Sequence, residues 1–301
     1  PPGRGDPIYA IASRLFDQPR LDHFAWRRAG VPWKIPFCPR PADFANRVSI
    51  LFNAVGGSGL ADRDPEWRTA VSRSLDDAEY ASVRDRQTYE LLGKTCEFRP
   101  DSAAAMRDFF PPDWLRTKAR DDLRPILEGP PYVCFQLHRH FTLKKLQRFA
   151  AELDRCQRDG GLRIVLLPIG RAAGHSDHVS LARVRSAMQT EAHLPKDLGV
   201  FDIMALLAGS AIFAGTSLHG LISAMAYGRP YTILGKSPKC LACSAEWAPQ
   251  EFRDPLPANR FFEGIQERLS FDKRILEDSS RRFREDSKAG LDALVKTALA
   301  Q

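Results

Sequence analysis

The stretch from Gly215 to Pro230, GTSLHGLISAMAYGRP, places a histidine where it could do chemistry. The apolar run SAIFAG before it and the run YTIL after it each predict a buried strand. The apolar spacing between them predicts a helix that Gly228 and Pro230 end. His219 therefore lies on the first turn of a helix, where unpaired backbone N–H groups and the helix dipole favour a bound anion.

A histidine in such a turn can donate a hydrogen bond to an anion or pass a proton to a bound molecule. Thr216 or Ser217 can cap the helix. Beside the candidate catalytic His219, the turn offers Ser217, Leu218 and Gly220 as candidate substrate-binding residues. The competing interpretation is a capping turn in which His219 only packs against its neighbours.

Three further polar clusters follow predicted strands. In SVRD, Arg84 can grip a carboxylate or phosphate through a bidentate fork, or it can form a surface pair with Asp85. In QLHRHF, the candidate catalytic His138 and the candidate substrate-binding residues Arg139 and His140 favour an anion site. A His-x-His metal site is the competing interpretation of QLHRHF, although no carboxylate or third histidine is evidently paired with it.

The third cluster, PIGRAAGHSDH, contains His175 as a candidate substrate-binding residue and Asp177 as a candidate catalytic residue. Asp177 could orient a histidine or act as a base on a hydroxyl. The alternative is an aspartate that caps a helix starting near Val179.

Two glycine turns complete the set of candidate substrate-binding residues. Gly56 lies in NAVGGSG after a predicted strand, without the lysine of a P-loop or the full GxGxxG spacing. Asp6, in RGDP, precedes the first predicted helix. No strand precedes Asp6, so the first strand of this domain either lies ahead of Pro1 or is not part of the fold.

Predicted strands alternate with predicted helices along almost the whole chain, which indicates an α/β protein with parallel sheets. We predict two doubly wound, Rossmann-like domains with a ligand cleft between them. Residues 1–118 form the first domain and 132–270 the second. A linker over 119–131, in a stretch dense in proline and charge, joins them, and a charged helix follows over 271–301.

The composition favours an ordinary globular protein of 301 residues, 44% of them hydrophobic and 27% charged. The net charge of +7 suits acidic small ligands or an anionic membrane face, and no nucleic-acid-binding motif is present. No signal peptide is visible, and no apolar run approaches the roughly 20 residues of a membrane span.

The six cysteines are scattered along the chain. Cys134 and Cys156 lie in apolar contexts that are typical of reduced, buried thiols. Cys240 and Cys243 form a single CxxC without a second pair or a histidine cluster, which is more typical of a loop than of a zinc site.

Four pieces of this sequence, in order, resemble the polysaccharide pyruvyl transferase family over residues 5–235. They are GD at the first helix, FNAVGGSGL ahead of SVRDRQTYELL, LLPIG followed by GHSD, and AGTSLHGLISAMAYGRPYTIL. The resemblance implies a two-domain, GT-B-like fold. It also implies transfer of pyruvate from phosphoenolpyruvate onto two hydroxyls of a sugar, which forms a ketal and releases phosphate.

By the same resemblance, His219 matches the family's central histidine and Arg84 the arginine of its middle motif. Ser217 stands where many members carry arginine, and the cluster His138–His140 is the candidate replacement for that anion ligand. The implied route uses phosphoenolpyruvate as the donor substrate and needs no cofactor, metal or nucleotide. A sugar or lipid-linked oligosaccharide is the implied acceptor, in a bacterial cytoplasm. Separately, the basic surplus could hold the protein near anionic lipid through the arginine-rich stretch SSRRFRED, and the competing interpretation of that stretch is a solvated helix.

Two other functions remain open at this stage. A GT-B glycosyltransferase would bind a nucleotide sugar, with Glu246 or Glu251 holding the ribose. A non-catalytic relative that binds a sugar or an anion is favoured by serine at position 217.

Overall fold

The computed structural model describes residues 37–57, 59–138, 141–170 and 176–300, which form two compact units. The first unit holds the described residues up to Phe98 and those from Asp292 on, and the second holds the described residues of 99–291. Both are α/β with all-parallel sheets, as the sequence predicts. The helix expected after Asp6 lies outside the described residues.

The first unit contains a three-stranded sheet in the order β1-β2-β3. Its strands are β1 (Leu51–Val55), β2 (Tyr80–Val83) and β3 (Glu97–Phe98), and its helices are α1 (Pro65–Asp76) and α2 (Arg86–Leu91). A short 3-10 helix, Pro41–Asp43, precedes the sheet. The core is a cluster of buried apolar side chains that includes Ile50, Phe52 and Val83.

The second unit contains a four-stranded sheet in the order β5-β4-β6-β7. The strands are β4 (Tyr132–Phe135), β5 (Arg163–Leu166), β6 (Ile212–Gly215) and β7 (Tyr231–Ile233). The helices are α3 (Met106–Phe109), α4 (Pro112–Lys118), α5 (Arg124–Leu127), α6 (Leu143–Arg158), α7 (Asp177–Ala187), α8 (Val200–Gly209), α9 (Leu218–Ala226), α10 (Pro238–Trp247), α11 (Phe261–Leu269) and α12 (Lys273–Leu299), whose residues from Asp292 on belong to the first unit. Short 3-10 helices cover Ser102–Ala105, Asp121–Leu123, Gln250–Phe252 and Ala258–Arg260.

Helices cover both faces of this second sheet. Successive strand residues point to opposite faces, so alternate residues of one strand pack against different helices. Val133 and Phe135 pack in one core cluster with side chains of α6, α7 and α11. Tyr132 and Cys134 pack in another with side chains of α8, α9 and α10. The predicted doubly wound arrangement is therefore observed in this unit, and Cys134 and Cys156 are buried as expected.

Residues 99–131 differ from the linker that the sequence suggests over 119–131. They belong to the second unit, so the division falls at Phe98 and not at 118. Leu115 of α4 and Ala119 are buried together with Met204 and Ala205 of α8. Proline is frequent in this segment partly because it occupies the first turn of short helices, as Pro112 does in α4 and Pro125 in α5.

Two other features of the fold bear on the sequence-based expectations. The CxxC motif lies on helix α10 and not in a loop, since Pro238 starts a helix that continues through both cysteines. No helix among the described residues is long and apolar enough to cross a membrane.

Candidate active site

The carboxyl ends of β4 and β6 lie side by side at the switch point of the second sheet. The chain leaves β4 towards β5 on one side and leaves β6 towards β7 on the other. In open α/β sheets, ligands bind in the crevice that such diverging connections leave. The loop after β4 is hydrogen-bonded to the loop after β6, since the backbone N–H of His138 donates to Thr216 Oγ1 over 3.2 Å.

Gln136 is the side chain that holds these loops in place. It is 2% exposed, and its Oε1 accepts from the backbone N–H groups of Thr216 (2.8 Å) and Ser217 (2.9 Å) and from Thr216 Oγ1 (3.1 Å). Its Nε2 donates to Asp177 Oδ2 over 2.8 Å. Gln136 is absent from our sequence-based candidates, although a glutamine within the buried run YVCFQL already signals an amide whose hydrogen bonds must be met inside the protein.

Helix α9 begins directly after this anchored turn. Ser217 caps the helix, because its Oγ accepts from the backbone N–H of Gly220 over 3.2 Å. His219 lies on the first turn and is exposed. Exposure does not fit the interpretation in which His219 only packs. The imidazole instead stands at the positive end of a helix, at the edge of the sheet where ligands bind.

The two remaining residues of the motif support the fold more than they offer contacts to a ligand. Leu218 is partly buried and packs on the second unit's core. Gly220 is buried, and a Cβ at this position would lie 2.5 Å from Phe213 Cζ and 2.9 Å from Ile169 Cδ1. Glycine therefore lets α9 approach the sheet closely.

Asp177 is a buried carboxylate that holds the residues around the candidate site in place. The residue is 1% exposed, and its Oδ2 accepts from the backbone N–H of Gly170 (2.6 Å) as well as from Gln136. A carboxylate so enclosed differs from the base on a substrate hydroxyl that we considered from the sequence. It is also the first residue of α7, where its negative charge suits the helix dipole.

His138 is half-buried, and its backbone is fixed on both sides. Its carbonyl accepts from Ser180 Oγ over 3.1 Å, and its ring lies 5.0 Å from that of Phe141, centroid to centroid. His138 thus shares the carboxyl edge of the second sheet with His219.

The first unit brings Gly56 and Arg84 together. Gly56 follows β1 and Arg84 follows the neighbouring β2, and the Arg84 N–H donates to the Val55 carbonyl over 3.1 Å. A Cβ on Gly56 would lie 2.7 Å from Arg84 Nε and 2.8 Å from Nη2, so the half-buried guanidinium lies directly against this glycine. Two sequence-predicted candidate residues therefore lie side by side at the carboxyl ends of β1 and β2.

The backbone beneath Arg84 is strained and held by buried polar groups. Ala54 has a φ of +47°, which is uncommon for a residue with a side chain. Its N–H donates to the buried Ser82 Oγ over 2.8 Å, where the pairing of β1 with β2 is irregular. Asp85 is buried and caps α2 through Thr88, so it is not an exposed partner in a surface pair.

Several sequence-based candidates lie elsewhere. Asp6, Arg139, His140 and His175 lie outside the described residues. Within the part of the chain that the structure describes, no group of three His, Cys, Asp or Glu side chains could hold a metal ion. Glu246 lies in the last turn of α10, and Glu251 is exposed in the 3-10 helix Gln250–Phe252.

Comparison with known proteins identifies a family and a fold. The sequence model of the family described as polysaccharide pyruvyl transferase matches residues 42–236, which is more than half of the chain. No curated protein matches the sequence significantly.

The comparison with solved structures concerns the fold alone, because sequence identity is low. The UDP-GlcNAc 2-epimerase of Neisseria meningitidis has a TM-score of 0.54 at 12% identity, over 83% of this chain and 69% of that one. The MnaA–UDP structure from S. aureus has a TM-score of 0.54 at 13% identity, over 82% and 66%. The UDP-GlcNAc 2-epimerase of Methanocaldococcus jannaschii has a TM-score of 0.52 at 10% identity, over 75% and 64%. The chain thus spans about two thirds of these structures, and it has a GT-B-like α/β fold.

Proposed function

Because the chain belongs to the polysaccharide pyruvyl transferase family, we propose that it moves pyruvate from phosphoenolpyruvate onto two hydroxyls of one sugar and forms a ketal. The observation that carries this proposal is the exposed His219 on the first turn of α9, at the switch point of the second sheet. A proton donor next to an anion-binding helix start is what this reaction requires.

Phosphoenolpyruvate carries a carboxylate and a phosphate, so the reaction needs two places that hold anions. The start of α9, with Ser217 as its cap, is the first. The guanidinium of Arg84 is the second, since its planar fork matches either anion bidentately. We also propose Arg139, His140, His175, Asp6 and Gly56 as residues that bind the donor or the acceptor.

The chemistry follows from these groups. His219 gives a proton to the methylene carbon of the enol, which becomes a methyl group and leaves positive charge at the neighbouring carbon. A sugar hydroxyl attacks that carbon and gives its proton to His138, which lies at the same sheet edge as His219. The bond between that carbon and the bridging phosphate oxygen then breaks, and inorganic phosphate leaves with the bonding electron pair. The second hydroxyl attacks the same carbon, passes its proton to the departing phosphate and closes the ketal.

Anion holders stabilise the charge that develops on the departing phosphate. Asp177 contributes by positioning, since it fixes Gln136 and through it the turn before α9. These steps use side-chain proton transfer and call on neither a metal nor a nucleotide.

The acceptor in this proposal is a sugar of a polysaccharide or of a lipid-linked precursor, in a bacterial cytoplasm. The proposal includes a weak contact with anionic membrane through SSRRFRED. Part of the positive charge of this stretch is already paired. Arg281 pairs with Asp278 (2.7 Å), and Arg284 pairs with Asp108, which reduces the charge available. Co-sedimentation with anionic vesicles at low salt tests this contact, and no binding would remove it without touching the chemistry.

A melting screen separates this proposal from the alternatives, since a ligand that binds only the folded state raises the melting temperature. Phosphoenolpyruvate at a hundred times its Kd should stabilise the chain by about 2.7 kcal/mol. UDP should not raise the transition, and inorganic phosphate should raise it less. The same screen on Arg84→Ala should show a smaller phosphoenolpyruvate shift.

The outcomes are distinct. A shift with UDP and none with phosphoenolpyruvate would favour a nucleotide-sugar enzyme, as named for the solved structures of similar fold. Glu246 does not favour a nucleotide-sugar enzyme, since it lies in the last turn of α10, far from the start of that helix at the carboxyl end of β7. A shift with neither compound would leave a non-catalytic relative.

A further inference from the structure

An open cavity of about 370 Å³ lies between the end of α10, the chain that follows it, and α12. The residues that matter for its chemistry are Glu246, Trp247, Arg253, Ile275, Arg282 and Asp286. All of them lie beyond residue 236, where the family match ends. The volume falls at the lower end of the range of small-molecule sites, about 300–1,000 Å³.

This cavity is separate from the His219 site. Cys240, near the start of α10, contacts the Thr216 carbonyl through its thiol at 3.4 Å, which places this end of the helix beside the turn before α9. Trp247 comes seven residues later, and a helix rises about 1.5 Å per residue, so it lies about 10 Å further along the axis. Ser279 of α12 donates to the Trp247 carbonyl at 3.4 Å and closes the cavity on that side.

The charges on its wall are arranged for a polar, uncharged ligand. Arg282 and Asp286 stand one helical turn apart on α12, and within the described ranges neither forms an ion pair, whereas the nearby Arg281 pairs with Asp278. Arg253 is held in place, since its Nε donates to the Ala248 carbonyl over 3.1 Å. With Glu246 included, two cations and two carboxylates balance, so an anion gains little here.

Trp247 supplies an apolar surface beside these charges. Its ring is half-buried and packs at 5.8 Å, centroid to centroid, on Phe283, which fixes its orientation. A rigid aromatic wall with hydrogen-bond donors and acceptors at its rim matches a pyranose ring, which has apolar C–H faces and a rim of hydroxyls.

We propose that this cavity is a second saccharide site, which binds a neutral pyranose unit of the acceptor polymer away from the unit that reacts. The acceptor assignment rests on the proposed function. Binding two units of one polymer raises the apparent affinity, because the second contact becomes intramolecular. The cavity lies outside residues 42–236, over which the family model matches.

The test uses the methyl pyranosides of glucose, galactose, mannose and N-acetylglucosamine at millimolar concentration with the full chain. Indole N–H resonances are followed by ¹H–¹⁵N NMR, and the Trp247 signal is assigned by its loss in Trp247→Phe. At least one glycoside should shift this signal saturably. Arg282→Ala and Asp286→Asn should each weaken that binding fivefold or more.

Arg281→Ala is the matched control, since Arg281 is exposed on the same helix and does not line the cavity. It should change the affinity less than twofold. The inference is overturned if no glycoside shifts the Trp247 signal, or if Arg281→Ala weakens binding as much as Arg282→Ala.

The result is distinguishable from failure of the proposed function. His219→Ala should leave glycoside binding unchanged. Glycoside binding without any phosphoenolpyruvate shift in the melting screen would support the saccharide site and overturn its acceptor role in pyruvyl transfer. A phosphoenolpyruvate shift without glycoside binding would overturn the second site alone.

Discussion

The amide of Gln136 donates to the carboxylate of Asp177 over 2.8 Å, and both side chains are almost completely buried. The other end of the same amide accepts two backbone N–H groups of the turn that leads into α9. A buried polar pair thus sets the position of the helix start that carries His219. A buried donor or acceptor without a partner lowers the free energy of unfolding, so substitution of either residue tests the pair.

Gln136→Glu should make the stability of the protein depend on pH. A protonated carboxyl can still accept from the turn and donate to Asp177, whereas an ionised one faces a second carboxylate. The new group's pKa in the folded state should therefore be raised above its unfolded value, which is about 4.3 for glutamate. Its stabilising contribution is complete below the unfolded value and is lost as the pH rises through the folded value.

Melting temperature measured against pH, relative to the unmodified chain, checks this expectation. The control is Gln136→Met, which removes every hydrogen bond of the amide without adding a second carboxyl and should lower stability by about 1–3 kcal/mol for each buried group left unsatisfied. A difference between Gln136→Glu and the unmodified chain that stays constant from pH 4 to pH 8 would contradict the assigned hydrogen bonds.

Arg84→Lys should raise the apparent constant for phosphoenolpyruvate about tenfold, because lysine keeps the charge and loses the bidentate fork. Gly56→Ala should act in the same direction, since the added methyl would lie 2.7 Å from Arg84 Nε and must displace the guanidinium. Initial rates at varied donor concentration measure both effects. Arg86→Lys is the control, since its guanidinium lies over the Phe98 ring at 4.4 Å, and it should leave the donor constant unchanged. An unaltered constant in Arg84→Lys would remove this arginine from the donor site.

His219→Ala should lower turnover about a hundredfold or more, as removal of a general acid does, and leave the melting temperature nearly unchanged because the side chain is exposed. Single-turnover rate and thermal unfolding on one preparation separate the two effects. His193→Ala offers a matched comparison, as an exposed histidine beside the outer strand β5, and should keep full activity. A destabilised but fully active His219→Ala protein would refute the catalytic assignment.

The buried thiols should resist alkylation in the native protein at pH 8. Burial raises the pKa of Cys156 to about 12 and also raises the pKa values of Cys134 and Cys240, so little thiolate forms and access is blocked. Iodoacetamide followed by peptide mass spectrometry should find these three unmodified until denaturant is added. The half-buried Cys38 and Cys96 should react first, although burial raises their pKa values too. Labelling of Cys134 in the native protein would show that the core of the second unit opens more readily than its packing implies.

Much of the local structure follows from the sequence, because it depends on short-range patterns. Apolar runs and helical spacing identify β6, α9 and β7 in order, and the serine before the helix is its cap. The same patterns place His219 on the first turn of α9 and Arg84 after β2, since both positions are counted from the ends of adjacent elements.

The tertiary structure decides what depends on distant parts of the chain. Gln136 is 41 residues from Asp177 and 81 from Ser217, and only the strand order β5-β4-β6-β7 makes them neighbours. The same packing buries Asp177, which the sequence leaves as a possible base, and joins residues 99–131 to the second unit. Periodicity reports which face of an element is apolar, whereas burial of a polar group and the edge of a domain depend on which elements pack together.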